Sequence, residues 1–193
     1  MEPTASSVSS QSLHLNVVKP PQPRGEDIKH SQNEQPSMHS ASENGQIDVV
    51  RSFLDHGSDA DERNNIRRTA LAVASWYGKL QVAKLLIERG ADVNSRDVSG
   101  WTPMHHASDG GHLDIVQLLL AHNADLEARQ RSQRTALDLA SRIGHLAIAE
   151  LLLECGANPN VRNSYGRTPK QEATVRGHRR IVELLSRYEA HDS

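Results

Sequence analysis

Residues 100–112, GWTPMHHASDGGH, put His105, His106 and His112 in one short run with Asp109 between them. Imidazole is a common metal ligand, so the run raises the question of a metal centre and an enzyme built on it. Zinc needs three or four convergent donors. A second stretch, DHGSDADERN, carries Asp55, Asp59 and Asp61 at spacings that resemble a calcium loop. It lacks the glycine at the sixth position and the glutamate at the twelfth that such a loop requires. Cys155 is the only thiol, and the nearest upstream imidazole is His145. HExxH, GxxxxGK[ST] and GxSxG are all missing from the sequence.

What these residues do depends on the elements that hold them, and those elements recur. Thr69, Thr102, Thr135 and Thr168 lie 33 residues apart. Ala74, Ala107, Ala140 and Ala173 keep the interval, as do Gly78, Gly111, Gly144 and Gly177. The pairs Leu85-Leu86, Leu118-Leu119, Leu151-Leu152 and Leu184-Leu185 follow the same grid. A weaker copy precedes them, with Ala41, Gly45, Val49 and Phe53 in register. One copy shows how each unit works. Thr102 suits a helix N-cap and Pro103 the first helical turn. Ala107 admits a close neighbour. Gly111 ends the helix in a left-handed conformation. Ile115, Val116, Leu118, Leu119 and Leu120 give a second helix its apolar face. A polar loop then leads to the next threonine.

A unit of this size cannot bury both of its sides, so stacking must supply the missing contacts. The spacing predicts an all-α stack of about five helix–turn–helix repeats with projecting loops. The repeats fall at about 36–66, 67–99, 100–132, 133–165 and 166–193, within a domain over 36–193. End units should differ because one face of each meets water. The first has Pro36 and Ser37 where others have Thr followed by Ala or Pro, and the last has Lys170 in an otherwise apolar slot. Residues 1–35 are rich in Ser, Gln, Pro and Asn, too poor in apolar side chains to offset ordering entropy of roughly 1–2 kcal/mol per residue. We read them as a disordered tail, in which KPPQPR could form a polyproline II ligand.

The period, TPMHHA, GH and LLL..NAD together make the chain resemble ankyrin repeats. The resemblance covers about residues 36–190. It implies an ankyrin-repeat solenoid that binds other proteins on its concave side, with no catalytic chemistry and no cofactor. It also implies that His105, at the signature position shared only by His39, braces a loop by hydrogen bonds. Ala72, Asp138 and Gln171 stand there in the other copies and should lack that bond. His112, His145 and His178 fill one recurring slot, with Lys79 in it once, and read as structural. Only His106 breaks the pattern, and a lone imidazole makes no metal site. The DHGSDADERN segment aligns with ERGADVNSRD and is an ordinary inter-repeat loop. LIERGADVN places Asn94 at the spacing of asparagine hydroxylation sites in the family; the plainer reading is that Asn94, like Asn160, stitches loop backbones.

Carried over repeat by repeat, the concave surface comprises the loop tips and the ends of the first helices. It contains Arg68, Trp76, Tyr77, Trp101, Asp109, Arg131, Arg134, Arg142, Ile143, Tyr165, Arg167 and Arg176, with Ile66, Val98 and Val175 at neighbouring positions. Aromatics are only 3% of the chain, yet both tryptophans and two of three tyrosines fall here. Trp, Tyr and Arg are enriched at binding hot spots. The surface holds six arginines and one aspartate. Taking these from 22 basic and 24 acidic residues leaves 16 and 23 elsewhere, so a near-neutral chain would hide a basic strip on an acidic body. That strip suits an acidic partner segment with aromatic or aliphatic residues, its apolar part on Trp76, Tyr77 and Trp101 and its carboxylates or phosphates on Arg131, Arg134, Arg142, Arg167 and Arg176. We expect these surface positions to carry no packing duty.

The function expected is therefore a non-enzymatic protein-interaction module, a scaffold, adaptor or client-sequestering regulator. The alternative is a nucleic-acid-associated regulator that uses the Arg strip, disfavoured by the short strip and acidic body. No apolar run is long enough to span a membrane, and no secretory signal opens the chain. One cysteine allows no internal disulfide, which fits a reducing compartment, cytoplasm or nucleus. A monomer is expected. The initial Met and altered last repeat favour a complete chain over an excerpt.

Overall fold

The computed structural model describes residues 37–191. The expected tail over 1–35, with its KPPQPR run, lies outside the described residues. Among the described residues ten helices follow one another in pairs: α1 Met38–Asn44 and α2 Ile47–Asp55, α3 Ala70–Trp76 and α4 Leu80–Glu88, α5 Pro103–Gly110 and α6 Leu113–Ala121, α7 Ala136–Ile143 and α8 Leu146–Glu154, α9 Pro169–Arg176 and α10 Arg179–His191. Among the described residues no strand forms, and the only β feature is an isolated bridge between Arg63 and Thr69. The all-α stack of helix–turn–helix repeats expected from the sequence is the architecture observed.

Local chemistry starts each pair. Thr69, Thr102, Thr135 and Thr168 cap the odd-numbered helices, their hydroxyls accepting from the amides of Ala72, His105, Asp138 and Gln171. The first pair departs from the 33-residue grid. Ser37, aligned one place after the threonines, is itself the N-cap and accepts from Ser40, so α1 starts one residue late. Serine caps as well as threonine, and the helix begins wherever its orphan amides find an acceptor.

The odd helices pack against one another in order, as do the even helices, and each odd helix packs on its own even partner. Ala41, Ala74, Ala107, Ala140 and Ala173, one on each odd helix, are all fully buried. A larger side chain there would hold the neighbours apart. The even helices supply the larger apolar groups: Leu86, Ile115, Leu119, Ile148, Leu152, Ile181 and Leu185 are at most 2% exposed. Burial of each such side chain is worth roughly 1.5–3 kcal/mol. Because each repeat touches only its neighbours, cohesion is a sum over successive interfaces.

The histidines of the recurring slot join those interfaces. Nε2 of His112, His145 and His178 lies 3.0, 3.2 and 3.1 Å from the backbone oxygens of Trp76, Asp109 and Arg142. A carbonyl only accepts, so Nε2–H donates and the tautomer is set. The acceptors are carbonyls near the end of the preceding odd helix, which have no partner within their own helix. Each imidazole thus caps the helix one repeat earlier.

Candidate protein-interaction face

Each loop between repeats turns back on itself just before the capping threonine. One side chain in a fixed slot closes the turn. Asn64 Oδ1 accepts from the amides of Ile66 and Arg68, Asp97 Oδ1 from Ser99 and Trp101, and Asn163 Oδ1 from Tyr165 and Arg167. Gln130 reaches the Ser132 amide from the same slot. Backbone bonds close the turns, with Asn64, Asp97, Gln130 and Asn163 amides donating to the oxygens of Arg68, Trp101, Arg134 and Arg167. Successive tips are joined too: Val98, Arg131 and Ser164 donate to Ile66, Ser99 and Ser132. The tips form a continuous hydrogen-bonded edge, and the exposed side chains on it are held in register.

The signature histidines secure this edge from below. His105 Nε2 donates to the Arg134 oxygen at 3.0 Å, and Nδ1 accepts from the Thr102 amide, with the Thr102 hydroxyl 2.8 Å away. Burial keeps the ring neutral, pushing its pKa down to about 4. His39 makes the equivalent bond to Arg68, and its Nε2 also lies 3.1 Å from the Glu62 oxygen. The three histidines of the opening run therefore diverge. His105 braces a tip, His112 caps a helix, and His106 is buried with one carboxylate beside it. Among the described residues no group of three or more His, Cys, Asp or Glu side chains is placed to hold a metal ion.

His106 belongs to a cluster that sequence reasoning missed. Its Nε2 lies 3.3 Å from Asp97 Oδ2, with both side chains at most 3% exposed. The Arg68 guanidinium is 3.6 Å from the same oxygen. Trp76 meets the imidazole edge-on at 5.6 Å between centroids, Trp101 lies tilted over it at 5.0 Å, and the two indoles meet at 6.2 Å. Burial alone would raise the Asp97 pKa. Contact with His106 and the Trp101 and Ser99 amides outweighs it and holds the carboxyl below its ordinary value. Burial likewise dominates at His106 and lowers its pKa, so the ring is neutral despite the nearby carboxylate.

A second buried network lies one repeat further on. Arg134 Nε is 2.9 Å from Asp138 Oδ2 and Nη2 is 3.4 Å from Glu172 Oε1. Asn163 Nδ2 donates to Glu172 at 2.9 Å and to Asp138 at 3.3 Å. Burial, followed by the influence of Arg134 and then the opposing Glu172 charge, leaves the Asp138 pKa raised to about 6. The sequence held a signal for both clusters. His106 and Glu172 occupy a slot filled by Val73 and Leu139 in alternate repeats, and all four are buried. A polar residue in such a slot must find a partner.

These clusters correct part of the sequence reading. Trp76 and Trp101 are half-buried and carry packing duty. Arg134 is committed to Asp138 and Glu172, and its guanidinium carbon sits 5.2 Å from the Tyr165 ring centroid. Arg142 is paired with Asp109 at 2.7 Å, both largely buried. Arg68 faces Asp97. The strip is thus less basic than its composition implies, because a paired arginine is already neutralised. Ile143 is half-buried, whereas Arg131, Arg167 and Arg176 are exposed. Tyr77 is 44% exposed and Tyr165 67%. Burial and a hydrogen bond with Glu43 raise the Tyr77 pKa.

The large apolar side chains that remain exposed among the described residues are Ile66, Tyr77, Val98, Tyr165 and Val175. Every one lies at a loop tip or at the end of an odd helix. The Asn94 side chain does stitch loops, accepting from the Asp125 amide at 2.7 Å and donating to the Asn123 oxygen. Asn160 differs, since its contribution is a backbone amide donated to Asn158. A family model described as ankyrin repeats (3 copies) matches residues 7–97, 96–163 and 134–192. Comparison with curated proteins finds none that matches.

Proposed function

The chain belongs to the ankyrin-repeat family, and from that premise we propose that it is a non-enzymatic scaffold, adaptor or client-sequestering regulator, holding a protein segment along its loop tips and the ends of its odd helices. Ankyrin repeats are general protein-interaction modules. The observation that carries the finer reading is the placement of Ile66, Tyr77, Val98, Tyr165 and Val175. Among the described residues the stack buries or half-buries its other large apolar groups and leaves these five exposed on one set of positions. Scattered apolar residues mean little, but a confined group marks an interaction surface.

The partner suited to this face has two parts. Aliphatic or aromatic side chains would meet Ile66, Tyr77 and Val98, beside the half-buried indoles of Trp76 and Trp101. Carboxylates would meet Arg131, Arg167 and Arg176, with Tyr165 and Val175 among them. The internal pairing of Arg134 and Arg142 takes two cations from the strip and weakens the case for nucleic acid. Cys155, an exposed single thiol, fits cytoplasm or nucleus.

Affinity purification followed by mass spectrometry tests the proposal. Wild-type chain is compared with a Tyr77→Ser, Tyr165→Ser, Val175→Ser triple variant and with a Lys84→Ala, Gln117→Ala control on the even helices. The triple variant should lose partners that the control keeps. Retention of every partner by the triple variant would refute the assigned face.

A further inference from the structure

A groove of about 500 Å³ opens beside the tips of the second and third repeats, lined by Arg63, Arg67, Arg96 and Arg131 together with Asp92 and Val98. Arg63 and Arg96 are one repeat apart in the same slot. Nη1 of each donates across to the next repeat, to the Arg96 oxygen at 2.9 Å and the Arg129 oxygen at 2.8 Å. Each bond uses one of five guanidinium donors and fixes the group. The remaining donors therefore meet a ligand with less rotamer entropy to lose. Arg67 enters the groove from a left-handed backbone, φ 57°. Gln133 shares that conformation without lining the groove, so the left-handed backbone by itself makes no site.

The charge here is unbalanced. Among the described residues none of the four arginines has a carboxylate within ion-pair distance. Asp97 also lines the groove, but its carboxylate is engaged by Arg68, His106 and two backbone amides. Asp92 is left as the single carboxylate set against four guanidinium groups. A lone partner carboxylate would occupy one guanidinium fork. A phosphomonoester brings close to two charges and three strong acceptor oxygens, which matches several converging forks.

We propose that this groove binds a phosphoserine or phosphothreonine side chain of the protein partner. The proposal rests on the reading of a protein client, and the groove adjoins the client surface through Val98 and Arg131. A nucleic acid fits less well. The neighbouring turns carry exposed Asp59, Glu62, Asp92, Asp125 and Glu127, which would repel a run of successive phosphates yet tolerate a single dianion.

The test titrates the full chain with a Gly/Ser peptide bearing one phosphoserine, its unphosphorylated twin, a glutamate version and a short single-stranded DNA, following arginine Nε–Hε signals by NMR. The phosphopeptide should move the Arg63, Arg67, Arg96 and Arg131 signals saturably, with the twin and the glutamate version at least about tenfold weaker. Arg67→Gly relaxes the left-handed backbone, so it removes the guanidinium without threatening the fold. It and Arg131→Gln should each weaken binding about tenfold. No saturable shift, equal affinity for the unphosphorylated twin, tighter binding of DNA, or full affinity in the doubly substituted chain would each overturn the proposal. The Tyr77, Tyr165, Val175 variant should still bind the phosphopeptide, so failure of the client face and failure of the groove are separately visible.

Discussion

The Asp97 carboxylate lies 3.3 Å from His106 Nε2, both buried, with Trp76 and Trp101 packed against the imidazole. One side chain thus does two things. Its Oδ1 closes the loop turn by accepting the Ser99 and Trp101 amides, and its Oδ2 faces the histidine of the odd helix. The pair ties a tip of the interaction face to the core beneath it.

Substitution at Asp97 separates those roles. Asn64 and Asn163 close their own turns with Oδ1, so Asp97→Asn should keep the turn and cost about 1 kcal/mol, the value of one modest polar interaction. Asp97→Ala strips both amides and leaves His106 and Arg68 without the carboxylate, and should cost about 3 kcal/mol. Urea denaturation measures both. Equal losses for the two variants would contradict the double role.

Acid should weaken the fold beginning near the ordinary histidine value. His105 has a folded pKa of about 4, so between about 6.5 and 4 the unfolded chain binds the proton and the folded chain does not. Stability falls with pH across that window, by on the order of 3 kcal/mol for the full shift. His106, also lowered, acts in the same sense. Asp97 adds to the loss only below its unfolded carboxylate value. Stability curves from pH 7.5 to 4 for wild type and His105→Ala check this, and the variant should show the flatter acid limb.

Asp138 works against that trend. Its folded pKa of about 6 exceeds the unfolded value, so its stabilising contribution is present below the unfolded value and lost as pH rises through 6. Asp138→Asn should therefore gain stability relative to wild type by on the order of 1–2 kcal/mol between pH 5 and pH 7.5. The same change in melting temperature at both pH values would show that burial of this charge is not the cause.

Glycines at the helix ends should not be equivalent. A Cβ on Gly144 would sit 2.7 Å from Cε1 of the His178 ring, at φ 105°. One on Gly177 meets nothing within 4 Å, at φ 79°. Both alanine variants incur left-handed backbone strain of about 1–2 kcal/mol. Gly144→Ala must also displace the ring that caps α7, which should add at least about 1 kcal/mol. Comparing the two urea midpoints checks the difference.

Left-handed turn positions offer the opposite change. Arg67, Gly100, Gln133 and Gly166 share one slot, all with positive φ, at 57°, 77°, 57° and 72°. Gln133→Gly should stabilise the chain by about 0.5–1 kcal/mol, the relief of strain exceeding the added chain entropy. Thermal unfolding measures it, and a loss of stability would show that the Gln133 side chain matters more than its backbone.

Much of the fold was legible because it depends on residues acting locally. Thr102 caps a helix through its own neighbours, and Ala107 is small wherever it stands. The candidate face was legible in position but not in state. Nothing near Arg142 in the sequence reveals that Asp109, 33 residues away, neutralises it, and nothing near Arg134 points to Glu172. Ser37 shows the limit of the grid itself, because capping follows the nearest suitable hydroxyl and not the period.

By itself the sequence determined an all-helical stack with a 33-residue period, since helix caps, small residues and leucine stripes are short-range requirements repeated until stacking buries them. Only the tertiary structure decided which charges on that stack are spent and which are available. Pairing across repeats depends on distances between residues that the chain order keeps far apart: it closed Arg134, Arg142 and His106 into the protein and left Arg63, Arg67, Arg96 and Arg131 converging on a groove.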